Sequence, residues 1–154
     1  MVPAVGAKAP AFTLPRDGGC TVSLADFKGR KLALYFYPKA DTPGCTVEAK
    51  DFSRLAPAFG RAGTAILGVS ADPVSKQDKF KAKYDLSLML GSDESHEMLT
   101  AYGVWAKKSM WGRSYMGVLR NTYLIGPDGR IARIWEKVKV AGHAEEVLAA
   151  AKDL

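Results

Sequence analysis

Cysteine and histidine are scarce in this sequence. Its 154 residues include two cysteines, Cys20 and Cys45, and two histidines. A single pair of cysteines is no disulfide framework, so we expect a reducing compartment, the cytoplasm. No Cys or His spacing suits a zinc site, and we therefore expect no metal. The sequence also lacks a Cys-x-x-Cys pair, which argues against a dithiol redox centre.

Long apolar runs and phosphate-binding loops are missing as well. The longest apolar stretch, 32–37, is far too short to cross a bilayer, and the first residues have neither the basic nor the apolar region of a signal peptide. We therefore expect no membrane partner. Because there is no Gly-rich phosphate loop, neither a flavin nor a nicotinamide is implied, and we expect no cofactor.

The charge of the chain is basic but dispersed. Its 22 basic and 16 acidic side chains give a formal charge of +6, which can indicate a nucleic-acid partner. The lysines of 76–83 share their segment with aspartates, as on a solvated helix face. We therefore expect no nucleic acid.

Strand and helix patterns alternate through the middle of the chain. Two nearly continuous apolar runs, KLALYFY (31–37) and TAILGVS (64–70), predict buried central strands. Between them, Pro43 to about Phe59 has a helical pattern, with Val47, Phe52 and Leu55 on its apolar face. Hairpins are predicted around RDGG and GPDG. The length suits a single domain, 1–154, with an α/β fold: a central mixed sheet flanked by helices, and an N-terminal β-hairpin.

Cys45 falls in the first turn of the predicted helix, directly after a strand. Either Asp41 or Thr42 is the N-cap. Unpaired backbone N–H groups and the positive end of the helix dipole favour a thiolate at this position. A lone cysteine beside an apolar helix can equally be an inert, buried hydrophobe. Position alone leaves both interpretations open.

Two motifs favour the reactive interpretation. YPKADTPGCT contains the pattern Pro-x-x-x-Thr-x-x-Cys at Pro38, Thr42 and Cys45, and GVLRNTYLIGPDGRI places Arg120 at the start of a late strand. Both motifs resemble the signatures of peroxiredoxins. In detail the chain is most similar to the bacterioferritin comigratory, or peroxiredoxin Q, branch, over nearly its whole length.

The resemblance implies a thioredoxin-like fold and a thiol peroxidase that reduces hydrogen peroxide and organic hydroperoxides. Cys45 would attack the peroxide and become a sulfenic acid. Thr42 would offer its hydroxyl to the thiolate or the peroxide, Arg120 would supply a fixed positive charge, and Pro38 would exclude water. Gly44 leaves room for the substrate. Taken singly, Thr42, Pro38 and Arg120 also fit a helix cap, a strand terminator and a surface ion pair.

The sequence departs from the branch in its resolving cysteine. Many members carry one five residues after the peroxidatic cysteine, where this chain has Lys50, and others carry it in the next helix, which holds no cysteine here. Cys20 is the remaining candidate, in a turn that we expect at the sheet edge. We predict a one-cysteine cycle in a monomer, completed by an external thiol such as thioredoxin, glutaredoxin or glutathione.

Two other functions remain possible at this point. The first is a thioredoxin-like thiol-disulfide oxidoreductase. The second is a basic nucleic-acid or protein-binding module, since residues 105–120 interleave basic and aromatic side chains as a stacking surface does. We favour an ordered loop there, whose aromatic residues form an apolar rim near the reactive cysteine.

Overall fold

The computed structural model describes residues 2–154. Strands and α-helices alternate through the middle of these residues, as the sequence predicts, and consecutive strands lie toward both ends. They are β1 (Thr13–Pro15), β2 (Thr21–Ser23), β3 (Lys31–Phe36), α1 (Pro43–Arg61), β4 (Thr64–Ser70), α2 (Val74–Tyr84), β5 (Met89–Ser92), α3 (Glu97–Ala101), β6 (Trp105–Met110), β7 (Arg113–Val118), β8 (Thr122–Ile125), β9 (Ile131–Trp135) and α4 (His143–Asp153).

Five strands form one mixed sheet in the order β5-β4-β3-β8-β9. Strands β3, β4 and β5 run parallel, whereas β8 is antiparallel to β3 and β9 is antiparallel to β8. Strand β3 is central, and every residue after Lys31 in it is buried, as its continuous apolar sequence requires. Strands β1 and β2 form the predicted N-terminal hairpin. The predicted fold class is confirmed.

The two faces of the sheet carry different layers. Alternate residues of β3 point to opposite faces, so Leu32, Leu34 and Phe36 pack with α3 and the β1–β2 hairpin. Ala33, Tyr35 and Tyr37 instead pack with α1, α2 and α4 on the other face. The face that carries α1 also carries Cys45.

Helix α1 begins at Pro43, and the side of the helix that packs against the sheet carries both apolar and charged residues. Its buried residues are Cys45, Glu48, Ala49, Phe52 and Phe59. Val47 is 51% exposed, so its predicted place on the apolar face is wrong. Val47 follows Cys45 by two residues, which is more than half a helical turn. Because Cys45 lies on the buried side of α1, Val47 lies on the exposed side. Within residues 2–154, no helix combines the length and apolarity needed to span a membrane.

Residues 105–120 do not form the predicted loop. Strands β6 and β7 pair over 105–118 as an antiparallel hairpin separate from the main sheet. Both faces of the outer half of this hairpin are exposed, so its sequence lacks the alternation of apolar and polar residues that predicts a strand. The lysines of the segment interrupt that alternation further. Its aromatic residues therefore lie on a projecting hairpin.

Candidate active site

Cys45 lies in the first turn of α1, directly beyond the C-terminal end of the central strand β3. Thr42 occupies the N-cap position in extended backbone conformation (φ −100°, ψ 157°), which decides between the two predicted caps. The N–H groups of Gly44 and Cys45 belong to the set that has no partner within a helix. Cys45 itself is 1% exposed and packs in the cluster that contains Tyr35 and Ala49.

Arg120 reaches the sulfur from the segment between β7 and β8. Its Nη2 lies 3.4 Å from Cys45 Sγ. Its backbone carbonyl accepts a hydrogen bond from the N–H of Val138 at 2.7 Å, which holds the arginine in place. A Cβ atom at Gly44 would lie 3.2 Å from the same Nη2, closer than most real contacts of this kind. A glycine at 44 therefore lets the guanidinium approach the helix N-terminus.

Glu48 is a site residue that the sequence analysis missed. Arg120 Nη1 donates to Glu48 Oε1 at 2.7 Å, and the Glu48 side chain is 1% exposed. Its second oxygen, Oε2, has no hydrogen-bond partner among residues 2–154. Burial raises the pKa of Glu48 to about 7, against the attraction of Arg120. The signal was its spacing of three residues from Cys45, which places both on one helix face.

Thr42 and Pro38 flank the cysteine in the loop between β3 and α1. The Thr42 hydroxyl donates to the backbone carbonyl of Lys39 at 2.8 Å. Its single proton is therefore engaged, and its oxygen remains able to accept a hydrogen bond. Pro38 is half-buried just after the end of β3. Both residues lie in the segment that leads into the first turn of α1.

Two aspartates anchor this loop. Asp41 has a left-handed backbone (φ 60°) and accepts hydrogen bonds from Tyr84 Oη at 2.6 Å and Lys83 Nζ at 2.9 Å, both at the end of α2. Asp72 Oδ2 accepts from the N–H of Ala40 at 2.8 Å. The loop before Cys45 is thus tied to α2 and to the end of β4.

Asp72 belongs to a buried hydrogen-bond network. Ser70 Oγ donates to Asp72 Oδ2 at 2.7 Å, and Gln77 Nε2 donates to Ser70 Oγ and to the carbonyl of Gly91, both at 2.9 Å. Tyr37 Oη donates to Gln77 Oε1. The network therefore joins the C-terminal ends of β3, β4 and β5 to α2 near Cys45.

Cys20 lies away from these groups. It is exposed in the connection between β1 and β2, and both cysteines are free thiols. That connection is bonded to α2 and to the edge strand β5: the N–H of Gly18 donates to Asp78 Oδ1 at 2.8 Å, and Asp17 accepts from Lys81 Nζ at 2.7 Å and from the N–H of Leu90 at 2.9 Å. The structure therefore does not bring Cys20 together with the other predicted site residues.

A buried thiol at the N-terminus of a helix, with a guanidinium against its sulfur on a thioredoxin-like fold, defines a thiol peroxidase. The profile of the AhpC/TSA family matches residues 5–134. The chain belongs to that family, in its bacterioferritin comigratory, or peroxiredoxin Q, branch, so the resemblance found in the sequence is confirmed.

Similar proteins cover nearly all of the chain. Peroxiredoxin Bcp of Bacillus subtilis is 45% identical over 150 residues, which are 97% of this chain and 96% of the relative. The bacterioferritin comigratory protein of Xanthomonas campestris, studied for alkyl peroxide reduction in trapped intermediate/ligand complexes, superposes with a TM-score of 0.88 at 44% identity, covering 92% of this chain and 90% of that one. A cysteine-to-serine mutant of PrxQ from Xylella fastidiosa superposes with a TM-score of 0.92 at 38% identity, covering 97% and 96%.

Proposed function

We propose that Cys45 is the peroxidatic residue of this thiol peroxidase and that Thr42, Gly44, Arg120 and Pro38 assist it. The observation that carries the proposal is the 3.4 Å contact between Arg120 Nη2 and Cys45 Sγ at a helix N-terminus. Hydrogen peroxide and small organic hydroperoxides are the substrates. The alkyl peroxide reduction of the Xanthomonas campestris relative supports the organic class.

In the first step, the Cys45 thiolate attacks the terminal oxygen of the peroxide. An S–O bond forms as the O–O bond breaks, and the leaving oxygen takes a proton to become water or an alcohol, leaving Cys45 as a sulfenic acid. Arg120 and the N–H groups of Gly44 and Cys45 stabilise the charge that develops on the leaving oxygen. Donors of this kind contribute roughly 3 to 4 kcal/mol each in oxyanion holes.

Thr42 acts as an acceptor in this step. Because its own proton is donated to the carbonyl of Lys39, Thr42 Oγ1 accepts the hydrogen bond of the peroxide O–H. This orients the terminal oxygen toward the sulfur. Of the two partners expected for the Thr42 hydroxyl, the thiolate and the peroxide, this role takes the peroxide.

Burial of Cys45 serves the chemistry. At 1% exposure the sulfur is shielded from water, which strengthens the interaction with Arg120. Pro43 and Gly44 are exposed at the helix start, so a small peroxide approaches from that side. Pro38, half-buried next to them, limits the entry of water.

An external thiol completes a one-cysteine cycle. It attacks the Cys45 sulfenic acid to form a mixed disulfide and water, and a second thiol releases Cys45 as a thiol. The exposed position of Cys20 in the connection between β1 and β2, and the lysine at position 50, support this cycle. The reductant is thioredoxin, glutaredoxin or glutathione. The protein, residues 1–154, works as one monomeric domain in the cytoplasm, where such thiols are kept reduced.

Paired cysteine variants test the proposal. Cys45→Ser should abolish turnover of hydrogen peroxide, whereas Cys20→Ser should nearly preserve it. Mass analysis of the wild type under non-reducing conditions, after stoichiometric peroxide, should find a sulfenic acid or its adduct on Cys45. Undiminished turnover by the Cys45 variant would refute the proposal, and an intramolecular Cys20–Cys45 disulfide would refute the one-cysteine cycle.

A further inference from the structure

The outer half of the β6–β7 hairpin is exposed on both of its faces. Every residue from 109 to 116 is exposed. Of seven large hydrophobic side chains found exposed in residues 2–154, four lie here, and Trp111 at the tip is 93% exposed. Protein surfaces rarely gather apolar side chains in this way unless a partner covers them. We call Met110, Trp111, Arg113, Tyr115 and Met116 the hairpin surface.

The charge of this region has one sign. Residues 105–120 contain Lys107, Lys108, Arg113 and Arg120 and no aspartate or glutamate. In the part of the chain that the structure describes, only Arg120 of these four is in an ion pair. Unneutralised cations around an apolar tip complement a partner surface that is apolar and acidic.

The hairpin is rooted on the face of the sheet opposite to Cys45, and the chain that leaves it crosses to the sulfur at Arg120. Trp105 stacks on His96, with ring centroids 3.9 Å apart, and the N–H of Leu119 donates to the carbonyl of Val104 at 2.8 Å. Arg120 follows one residue later and contacts Cys45. The strand that carries half of the hairpin surface therefore ends two residues before the arginine that contacts the sulfur.

Lys108 and Tyr115 lie on one face of the hairpin. They are directly opposite each other across the two strands. Burial and the nearby Arg120 lower the pKa of Lys108, and Cys45 acts in the opposite direction, which places this lysine within electrostatic range of both.

We propose that the hairpin surface docks a protein reductant that carries a reactive dithiol within an apolar, acidic surface. This inference rests on the proposed one-cysteine cycle, in which the oxidised sulfur must be reduced by a thiol from outside the chain. The first thiol of the partner forms a disulfide with Cys45 and releases water. Its second thiol then attacks the partner's own sulfur in that disulfide, so that the partner leaves oxidised and Cys45 leaves as a thiol.

The test compares a protein dithiol with a small dithiol as reductant. Thioredoxin, regenerated by its NADPH-dependent reductase, is the protein probe, and dithiothreitol is the small one. The apolar variant combines Met110→Ser with Trp111→Ser, and the charge variant combines Lys107→Glu with Arg113→Glu. Val5→Ser and Lys28→Glu, exposed at sites outside the hairpin, are the matched controls. Circular dichroism verifies that each variant is folded.

Both hairpin variants should lower kcat/KM for thioredoxin by about 10-fold or more, because each removes two of the apolar anchors or complementary charges that hold the partner. Turnover with dithiothreitol and the rate of Cys45 oxidation by hydrogen peroxide should stay at the wild-type values. The controls should behave as wild type with both reductants. The charge variant should also reduce the dependence of the thioredoxin reaction on salt.

Several results would overturn the docking proposal. They are an unchanged kcat/KM for thioredoxin in both variants, an equal loss with dithiothreitol, and a wild-type protein that thioredoxin does not reduce. A wild-type dimer that the hairpin variants dissociate, with thioredoxin kinetics intact, would assign the surface to a second copy of the chain instead. Failure of peroxide to oxidise Cys45 in the wild type would refute the proposed function, and the docking with it.

Discussion

Arg120 donates to two side chains through separate nitrogens of one guanidinium. Nη2 contacts Cys45 Sγ and Nη1 contacts Glu48 Oε1, so the carboxylate fixes the plane in which the other nitrogen meets the sulfur. Lysine could not do this, because its ammonium is a point charge without a rigid fork. The geometry of the site thus depends on three side chains and on the space left by Gly44.

The Gly44→Ala variant tests the geometry of the site separately from the stability of helix α1. The new Cβ would lie 3.2 Å from Arg120 Nη2, so the guanidinium must move and the rate constant for Cys45 oxidation by hydrogen peroxide should fall. We expect a loss of about 10-fold, which equals about 1.4 kcal/mol of transition-state stabilisation. Stability should not fall, since alanine favours a helix over glycine by up to about 1 kcal/mol.

Gly60→Ala is the matched control in the same helix. A Cβ there meets no atom within 4 Å, so this variant should gain similar stability and keep the wild-type rate. Stopped-flow kinetics and urea unfolding of both variants measure the two effects. Equal rates for Gly44→Ala and Gly60→Ala would show that the space at position 44 is unimportant.

Glu48 is expected to position Arg120 rather than to react. Glu48→Gln keeps an oxygen that accepts from Arg120 Nη1, so the oxidation rate should remain within about threefold of wild type. Glu48→Ala removes that acceptor and should lower the rate by about 10-fold, because the guanidinium is then free to turn away. The measurement is the rate constant with stoichiometric hydrogen peroxide near neutral pH. A Gln variant as slow as the Ala variant would contradict a positioning role.

At the scale of elements, three strand ends and α2 hold the loop that precedes Cys45. The network of Tyr37, Ser70, Asp72 and Gln77 is buried. It is connected to the loop because Asp72 accepts a hydrogen bond from the N–H of Ala40. Buried polar groups of this kind are costly when a partner is removed. Helix α2 therefore contributes to the active site without contacting the sulfur.

Gln77→Leu tests this support. The change leaves Tyr37 Oη and the carbonyl of Gly91 without their partner, so the free energy of unfolding should fall by about 2 to 3 kcal/mol. The oxidation rate of Cys45 should fall as well, because the loop at 38–42 loosens. Urea unfolding and stopped-flow kinetics measure both, with Lys79→Ala on the exposed side of α2 as control. A destabilised variant with the wild-type rate would show that the network supports only the fold.

The periodicity of the sequence predicted most helices and strands, but it did not predict in every case which of their side chains are buried. Strand β3 and helix α1 were predicted within a few residues, since long apolar runs and helical spacing are strong signals. The prediction that Val47 is buried and the failure to predict that Glu48 is buried have one cause. Apolar spacing assigns charged residues to the solvent side of a helix, but the buried side of α1 includes Glu48.

The motif predicted Cys45 and Arg120 but not the contacts around them. That Arg120 meets Cys45 across 75 positions follows from the pairing of β3 with β8, which no local pattern reveals. The bond of Thr42 to Lys39 depends on the conformation of the loop. The β6–β7 hairpin was missed because it packs little against the core, so neither of its faces shows the alternation of a half-buried strand.

For the whole molecule, two buried groups make stability depend on pH in opposite directions. Burial lowers the pKa of His143 to about 4, so the folded state resists a proton that the unfolded chain accepts below about 6.5. Its contribution to stability is therefore lost as the pH falls from about 6.5 to about 4. Burial raises the pKa of Glu48 to about 7, so folding gains from its proton as the pH falls from about 7 to about 4.5.

His143→Asn should reveal the histidine contribution. Asparagine keeps a polar partner for Thr122, whose Oγ1 lies 2.8 Å from His143 Nε2, but cannot titrate. When the pH is lowered from about 7 to 5, the free energy of unfolding of the wild type should fall by about 1 to 2 kcal/mol more than that of the variant. Urea unfolding at the two pH values measures this. Parallel pH dependence of both proteins would contradict a neutral, buried His143.

The rate constant for oxidation of Cys45 by stoichiometric hydrogen peroxide, in wild type and in Arg120→Met, tests most directly whether the guanidinium and the sulfur act together. Methionine fills similar space without charge or donors, so the rate constant should fall by about 100-fold or more, as when one donor to a developing oxyanion is removed. A variant that is folded and reacts within a few-fold of wild type would show that Arg120 does not drive the reaction.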